Sequence, residues 1–310
     1  MKDYRIAGHI VSLDFADSSL DEGLLPNLAP FAYEGEETPA VTIRIVSDHE
    51  WEQDGQDIGT FDVGGSDYAV FRTAQGGYRF DIHDTNGHLC CRMQSNSDFS
   101  FCHTKVYNGT NAQQHYGLNN CMMLAFAYAT ATKDTLLIHS SVIRCDGKGY
   151  LMTAPSGTGK STHTYLWYTN IPGCDLMNDD NPVIRIVDGK PIVYGSPWSG
   201  KTPCYRNIEA PIGGIVRIKQ HSENIVRRLS TIEAFTVLLP ACSSMKWDAR
   251  IYNGICDSIT KIIQTCKLWE LQCLPDSEAA ILCHDTISKE SKISSIPTIS
   301  NLMIPNFHFN

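Results

Sequence analysis

The residues best suited to chemistry lie in one short segment, 154–162. It reads Ala-Pro-Ser-Gly-Thr-Gly-Lys-Ser-Thr. Gly157 and Gly159 allow a tight turn that points successive backbone N–H groups at phosphate oxygens. Lys160 adds a positive charge for the outer phosphates, and the Ser161 hydroxyl can hold Mg²⁺. The segment therefore predicts a phosphate-binding loop (P-loop), whose binding residues are Ser156, Gly157, Thr158, Gly159, Lys160, Ser161 and Thr162.

The surroundings of this loop fit the interpretation better than its first residue does. Ala154 stands where the full pattern has glycine. However, 149–154 is apolar enough for a buried strand, and 161–168 can open a helix whose N-terminus favours an anion. The order strand, loop, helix predicts binding of a polyphosphate, with ATP and Mg²⁺ as the expected donor and ion. ADP, GTP and pyrophosphate stay open as donors.

Two adjacent carboxylates, Asp179 and Asp180, follow the loop lysine by 19 residues, which suits a return to the same edge of a sheet. One of them can bind Mg²⁺ while the other accepts a proton from an attacking hydroxyl. The residues alone leave open which aspartate has which task. A solvated strand-end turn is the structural alternative.

Three further residues are candidates for the same site. His139 ends the segment before the loop strand, where it can be a metal ligand or orient another group. Lys201 and Arg206 are candidate clamps for charge on a transferred phosphoryl group.

Composition limits the classes of partner and compartment. The chain has 310 residues, 42% of them hydrophobic, and a formal net charge of −9, which argues against a broad surface for nucleic acid or anionic lipid. The longest apolar stretch, 121–131, is about half of a membrane span. No signal peptide is evident, and the twelve cysteines lack zinc-site spacing, so we expect a cytoplasmic protein with free, buried thiols. A disulfide framework is the alternative.

Sequence patterns predict an α+β fold. Residues 1–112 alternate as strands, with hairpin turns at 75–77 and 84–87, and 113–131 form an apolar helix. A strand over 135–144, a turn at 146–149 and the loop strand form an antiparallel hairpin, which is unusual before a P-loop. Later strands are expected at 183–187, 191–194 and 213–219, and helices at 231–240, 246–266 and 276–284. We divide the chain into a β-rich N-terminal lobe (1–112), a nucleotide-binding kinase domain (113–290) and a C-terminal tail (291–310).

Three motifs in order resemble those of the HPr kinase/phosphorylase superfamily and, more distantly, of ATP-dependent phosphoenolpyruvate carboxykinase. They are His139-Ser-Ser, Ser156-Gly-Thr-Gly-Lys-Ser-Thr and Asn178-Asp-Asp, within residues 135–215. The resemblance implies a phosphoenolpyruvate-carboxykinase-like P-loop core, a mixed β-sheet with flanking helices. It also implies that Asp179 is the base, that Asp180 contacts the metal together with Ser161, and that His139 lies at the transfer centre.

The chain departs from this superfamily in one motif. The Glu-Val-x-Gly-x-Gly-x-Asn segment of the true HPr kinase/phosphorylases is absent from the sequence. We therefore do not expect the phosphorolytic reaction or HPr itself as the acceptor. The segment Pro197-Trp-Ser-Gly-Lys is similar to that of shorter HPr-kinase-like proteins.

The sequence thus predicts a Mg²⁺-dependent kinase that transfers a phosphoryl group from ATP, or a related donor, to a hydroxyl. The acceptor can be a peptide serine, free serine or a small-molecule alcohol. A non-catalytic nucleotide-binding regulatory module and a carboxykinase-type lyase are the alternatives. We expect no nucleic-acid or membrane partner, and a homo-oligomer by analogy with the superfamily.

Overall fold

A computed structural model describes residues 1–16, 20, 22–52, 55–63, 66–200 and 202–293. Two large β-sheets with few helices make up this part of the chain, which confirms the α+β class. None of the helices in these ranges is long and apolar enough to cross a membrane.

The N-terminal segment forms a nine-stranded sheet in the order β3-β1-β2-β4-β9-β8-β7-β6-β5. The predicted turns at 75–77 and 84–87 join β6 to β7 and β7 to β8, as expected. The strands are β1 (Lys2–Ile6), β2 (His9–Phe15), β3 (Ala32–Tyr33), β4 (Val41–Ile45), β5 (Gly55–Val63), β6 (Ser66–Thr73), β7 (Tyr78–His83), β8 (Leu89–Ser95) and β9 (Phe101–Val106).

The second sheet runs in the order β10-β14-β15-β16-β12-β11-β13, with β18 paired to both β16 and β17. Strands β12, β16 and β18 are parallel, and the remaining pairs are antiparallel. The strands are β10 (Thr135–Leu137), β11 (Ser140–Cys145), β12 (Lys148–Thr153), β13 (Asp175–Asp180), β14 (Val183–Val187), β15 (Lys190–Tyr194), β16 (Glu209–Gln220), β17 (Ile225–Arg228) and β18 (Leu268–Cys273).

Within the described ranges, five α-helices cover the sheets. The apolar helix expected at 113–131 begins two residues earlier, because Thr110 and Gln113 form a reciprocal capping box at its start. The last helix continues beyond the expected 284 to residue 293, so the first three residues of the predicted tail (291–310) are helical, and the rest of that tail lies outside the described residues. The helices are α1 (Asn111–Thr130), α2 (Lys160–Asn170), α3 (Thr231–Leu238), α4 (Ala249–Thr265) and α5 (Ser277–Ile293).

The prediction of one strand over 135–144 is wrong, because this segment forms two strands with different partners. β10 pairs with β14, whereas β11 pairs with β12 and β13. The backbone between them bonds elsewhere: Ile138 bridges Cys242, and the His139 N–H donates to the Ala241 carbonyl at 2.7 Å. The predicted hairpin survives as β11–β12, whose turn has the positive φ angles of Asp146 (50°) and Gly147 (72°).

The apolar core explains how the elements hold together. One buried cluster runs from the first sheet through α1 into the second sheet and α4, and a smaller one lies beneath α2 and α5. The cysteines contribute to these cores as free thiols: ten of the twelve are buried and two are half-buried. The free, mostly buried thiols agree with the expected thiol state. The division into separate domains remains a prediction.

Candidate functional site

Three strand ends meet where the P-loop begins. Ser140, the first residue of β11, is paired on one side with Thr153, the last residue of β12, and on the other with Asp180, the last of β13. Neighbouring strands are about 4.8 Å apart. The register of this sheet therefore brings the loop, His139 and the aspartate pair to one edge, although 19 residues separate the loop lysine from Asp179.

The loop itself has the backbone that a phosphate cradle needs. Gly157 and Gly159 adopt φ angles of 78° and 121°, and a Cβ at either would have only open space around it. Gly159 starts α2 without a side-chain cap, so the first-turn N–H groups are available to an anion. Ser156, Thr158 and Thr162 belong to this loop and first turn.

Lys160 lies over the loop rather than out in solvent. Its Nζ donates to the Ala154 carbonyl at 3.1 Å, and the residue is 8% exposed. Burial lowers the pKa of Lys160, and the charges of Asp180 and Asp179 oppose this effect. The ammonium therefore lies near both aspartates and the Ala154 carbonyl.

Asp179 is joined to the helix by Ser161. The Ser161 hydroxyl donates to Asp179 Oδ1 at 2.8 Å, and Asp179 is only 3% exposed. Ser141, which is paired with Asp179 in the ladder, hydrogen-bonds Thr164 of α2 at 3.0 Å. Asp179 and Ser141 thus lie on the face of the sheet that carries α2.

Asp180 has different partners. Its Oδ1 is 3.1 Å from His139 Nε2, its Oδ2 accepts from Asn181 Nδ2 at 2.7 Å, and its side chain keeps 36% of its surface exposed. The φ angle of Asp180 is 154°, a conformation that residues with a side chain rarely adopt. Because consecutive strand residues point to opposite faces of a sheet, the Asp180 carboxylate lies on the face opposite to that of Asp179.

The oxygen ligands at this edge fit Mg²⁺. A hydroxyl and two carboxylates are hard donors, which this ion prefers, and it is usually held by one or two carboxylates together with substrate phosphates. In the described part of the chain, no group of three or more His, Cys, Asp or Glu forms a self-contained metal cage. Ser161 and Asp179 are adjacent as a P-loop hydroxyl and a strand-end aspartate must be to share one ion.

A buried asparagine ties a neighbouring loop to the pair. Asn178 Nδ2 donates to Ser196 Oγ at 3.1 Å and to the Trp198 carbonyl at 3.2 Å. At the other end of this loop, the Gly200 N–H donates to the Asp179 carbonyl at 2.5 Å. We call residues Gly195–Gly200 the clamp loop, because they lie along the end of β13 and precede Lys201, which lies outside the described residues.

Arg206 is not brought to the site. Its guanidinium bonds Asp175 Oδ2 at 2.8 Å and the Leu176 carbonyl at 2.5 Å, at the opposite end of β13. Four strand residues, about 13 Å, separate Asp175 from Asp179. Arg144 shares the same carboxylate, and the arrangement is that of a structural ion pair, so the geometry does not support Arg206 as a phosphoryl clamp.

Another arginine, which the sequence motifs did not indicate, lies on the strand next to the one that leads into the P-loop. Arg217 on β16 is paired with Thr153, the residue before the loop, and the Gln220 amide donates to the Thr158 carbonyl at 3.2 Å. Arg217 Nη1 is 3.7 Å from Glu270, which is 4% exposed. The end of β16 therefore runs beside the loop with a cation held by a buried carboxylate.

Comparisons with known proteins add a partial likeness. No protein-family model matches the sequence, and no curated protein matches it. Among solved structures, the HPr(Ser) kinase/phosphatase from Coxiella burnetii is similar to part of the chain, with 11% sequence identity and a TM-score of 0.31. The match covers 51% of this chain and 97% of that one. A likeness this weak carries no argument about the site.

Proposed function

We propose that this protein is a Mg²⁺-dependent phosphotransferase that moves a phosphoryl group from ATP, or a related polyphosphate, to a hydroxyl. The observation that carries the proposal is the meeting of an uncapped P-loop helix, the Ser161–Asp179 pair and the His139–Asp180 pair at one sheet edge. Either pair alone is common in proteins. Their juxtaposition beside a phosphate cradle is the arrangement that phosphoryl transfer requires.

The residues divide the task as follows. Loop amides and Lys160 bind the outer phosphates, and Ser161 with Asp179 holds the ion. Mg²⁺ held by these residues would neutralise negative charge on the phosphates. Asp180 accepts the proton of the acceptor hydroxyl, because its carboxylate is half-exposed while that of Asp179 is buried.

Assigning Asp180 as the base and Asp179 to the ion reverses the roles that the superfamily resemblance implies. In this assignment His139 orients Asp180. The Nε2 atom of His139 is 3.1 Å from Asp180 Oδ1. A donated hydrogen bond from the ring fixes the carboxylate and leaves its second lone pair directed at the hydroxyl. Arg217 lies at the level of Thr153, and we assign it to charge on the phosphates.

The acceptor belongs to one of three classes: a peptide serine, free serine or a small-molecule alcohol. The test is transfer of label from [γ-³²P]ATP in the presence of Mg²⁺ to serine, to a panel of hydroxylated metabolites and to serine-containing peptides. We expect a labelled product, and Asp180→Asn should lower its rate by about 10²-fold or more, the usual contribution of a general base. Asp188→Asn, which changes an exposed turn carboxylate, is the matched control.

Three other outcomes would replace this proposal. If an Asp180→Asn protein transfers phosphate at the normal rate, Asp180 is not the general base. Tight nucleotide binding without product from any acceptor would favour a non-catalytic regulatory module. ATP-dependent decarboxylation of oxaloacetate would favour a carboxykinase-type lyase.

A further inference from the structure

A large cleft lies apart from the P-loop edge, where β9 ends and α1 begins. Its volume is about 1090 Å³, the size of a site for a small organic molecule. One wall is the segment around Leu24, and the other is the first two turns of α1. His115 Nδ1 and the Leu24 carbonyl, 2.7 Å apart, join the walls. Tyr205 contributes from the segment after the clamp loop.

The cleft is lined with groups that recognise polar ligands. Amide side chains come from Asn27, Asn111 and Gln114, phenol rings from Tyr107 and Tyr205, and a positive charge from Lys105. None of the described lining residues is acidic, although the whole chain carries a net charge of −9. The N-terminus of α1 adds a partial positive charge on the same side.

One buried acceptor in the lining has no partner among the residues that the structure describes. Asn27 is 2% exposed, and its Nδ2 donates to Asn119 Oδ1 at 2.9 Å and to the Pro197 carbonyl at 2.8 Å. Both amide hydrogens are therefore used, which fixes the orientation of the side chain. Its Oδ1 accepts no hydrogen bond. A buried acceptor without a donor is costly, and a ligand N–H or O–H would relieve that cost.

One cation in the lining also lacks a counter-ion. Lys105 Nζ has no carboxylate within ion-pair distance among the described residues, and it lies 5.6 Å from the centroid of the Tyr107 ring. A carboxylate on the ligand would complement this charge. A ligand that suits this cleft therefore carries a hydrogen-bond donor for Asn27 Oδ1 and a carboxylate for Lys105.

We propose that this cleft binds a small amino or hydroxy carboxylic acid. The ligand donates N–H or O–H to Asn27 Oδ1 and places its carboxylate at Lys105, while its carbon skeleton packs between the Tyr107 and Tyr205 rings. The site shares no residue with the phosphoryl-transfer site, and the inference does not rest on the proposed kinase activity. Because Asn27 also holds Pro197 of the clamp loop, the bound ligand stabilises the position of that loop.

The test measures the melting temperature of the full chain with each common L-amino acid, and with lactate, glycerate and malate. At least one of these should raise the melting temperature by about 2 °C or more at saturation. The amide of the same compound, which lacks the carboxylate, should give no shift. Lys105→Met should abolish the shift, while Lys190→Met, at an exposed strand end, should retain it.

Two results would overturn the proposal: no compound of the panel stabilises the protein, or Lys105→Met responds as the unaltered chain does. A parallel titration with Mg²⁺-ATP keeps this site separate from the kinase proposal. Lys160→Ala should lose the ATP response and keep the acid response. A Lys105→Met protein that melts cooperatively near the temperature of the unaltered chain is folded, so a lost acid response reports on the cleft.

Discussion

The two aspartates at the end of β13 differ in their neighbours, and neighbours set the role of a carboxylate. Asp179 is buried and accepts from Ser161, whereas Asp180 is half-exposed, strained and beside His139. The sequence indicated both residues but could not separate them, because adjacent strand residues point to opposite faces and only the sheet register decides which face carries α2.

A first prediction concerns the ion-binding pair. Ser161→Ala and Asp179→Asn should each raise the Mg²⁺ concentration needed for half-maximal transfer by about tenfold or more, because each removes one oxygen ligand. Since the two side chains touch, their effects should not add in the double variant. Thr169→Ala, on the exposed face of the same helix, is the control. Fully additive effects would mean that the two residues act independently.

A second prediction separates the two arginines. Arg206→Ala should lower the free energy of unfolding by about 1 kcal/mol, since it breaks a half-exposed pair with Asp175, and leave kcat unchanged. Arg217→Ala should instead lower kcat by about 10²-fold with a small change in stability. Denaturant unfolding and steady-state kinetics on both variants decide the matter. The reverse pattern would restore Arg206 as the clamp.

At the scale of elements, turn residues in the sequence predicted hairpins correctly, whereas contacts between residues far apart in the sequence could not be predicted. The Asp-Gly turn predicted within 146–149 forms a tight hairpin with positive φ angles, and the Asp-Gly pair at 188–189 forms another. The break between β10 and β11 depends on bonds to residues 241 and 242, about a hundred positions away, which no local pattern encodes. Arg217 was missed for the same reason, because its place beside Thr153 follows from strand pairing.

The clamp loop carries a prediction of its own. A Cβ on Gly200 would lie 2.9 Å from the Asp179 carbonyl oxygen and 3.2 Å from Asp180 Cβ. Gly200→Ala should therefore displace the end of β13 and lower kcat by about tenfold or more, because small misplacements of catalytic groups are costly. Gly214→Ala, where the nearest atom is 3.8 Å away, is the control. Equal activity of both variants would show that the loop does not position the aspartates.

At the scale of the whole molecule, the first and second sheets are joined through buried contacts. His9 of β2 hydrogen-bonds Thr135 of β10 at 2.8 Å, and Arg185 of β14 donates to the Ala7 carbonyl at 3.0 Å. Burial, with smaller effects from Arg185 and Lys133, lowers the pKa of His9 to about 3. The neutral ring is thus part of the contact.

This contact predicts how stability depends on pH. The unfolded chain protonates His9 near its ordinary pKa of 6.5, whereas the folded protein does so near 3, so stability is complete above pH 6.5 and falls as the pH drops towards 3. At pH 5 the loss from His9 is about 2 kcal/mol relative to pH 8.

Denaturant unfolding at both pH values checks this expectation. His9→Gln should remove that part of the loss, while His221→Gln, at an exposed position, should not change it. An unchanged pH dependence in His9→Gln would contradict the burial of a neutral ring.

The most direct test of the central claim is the affinity of the full chain for Mg²⁺-ATP, measured by calorimetry with and without Lys160→Ala. The account predicts that the unaltered chain binds, that omission of Mg²⁺ weakens binding, and that Lys160→Ala weakens it by about 10²-fold. Lys190→Ala should bind as the unaltered chain does. Absent binding, or equal affinities of Lys160→Ala and the unaltered chain, would contradict the assignment of residues 154–162 as a nucleotide cradle.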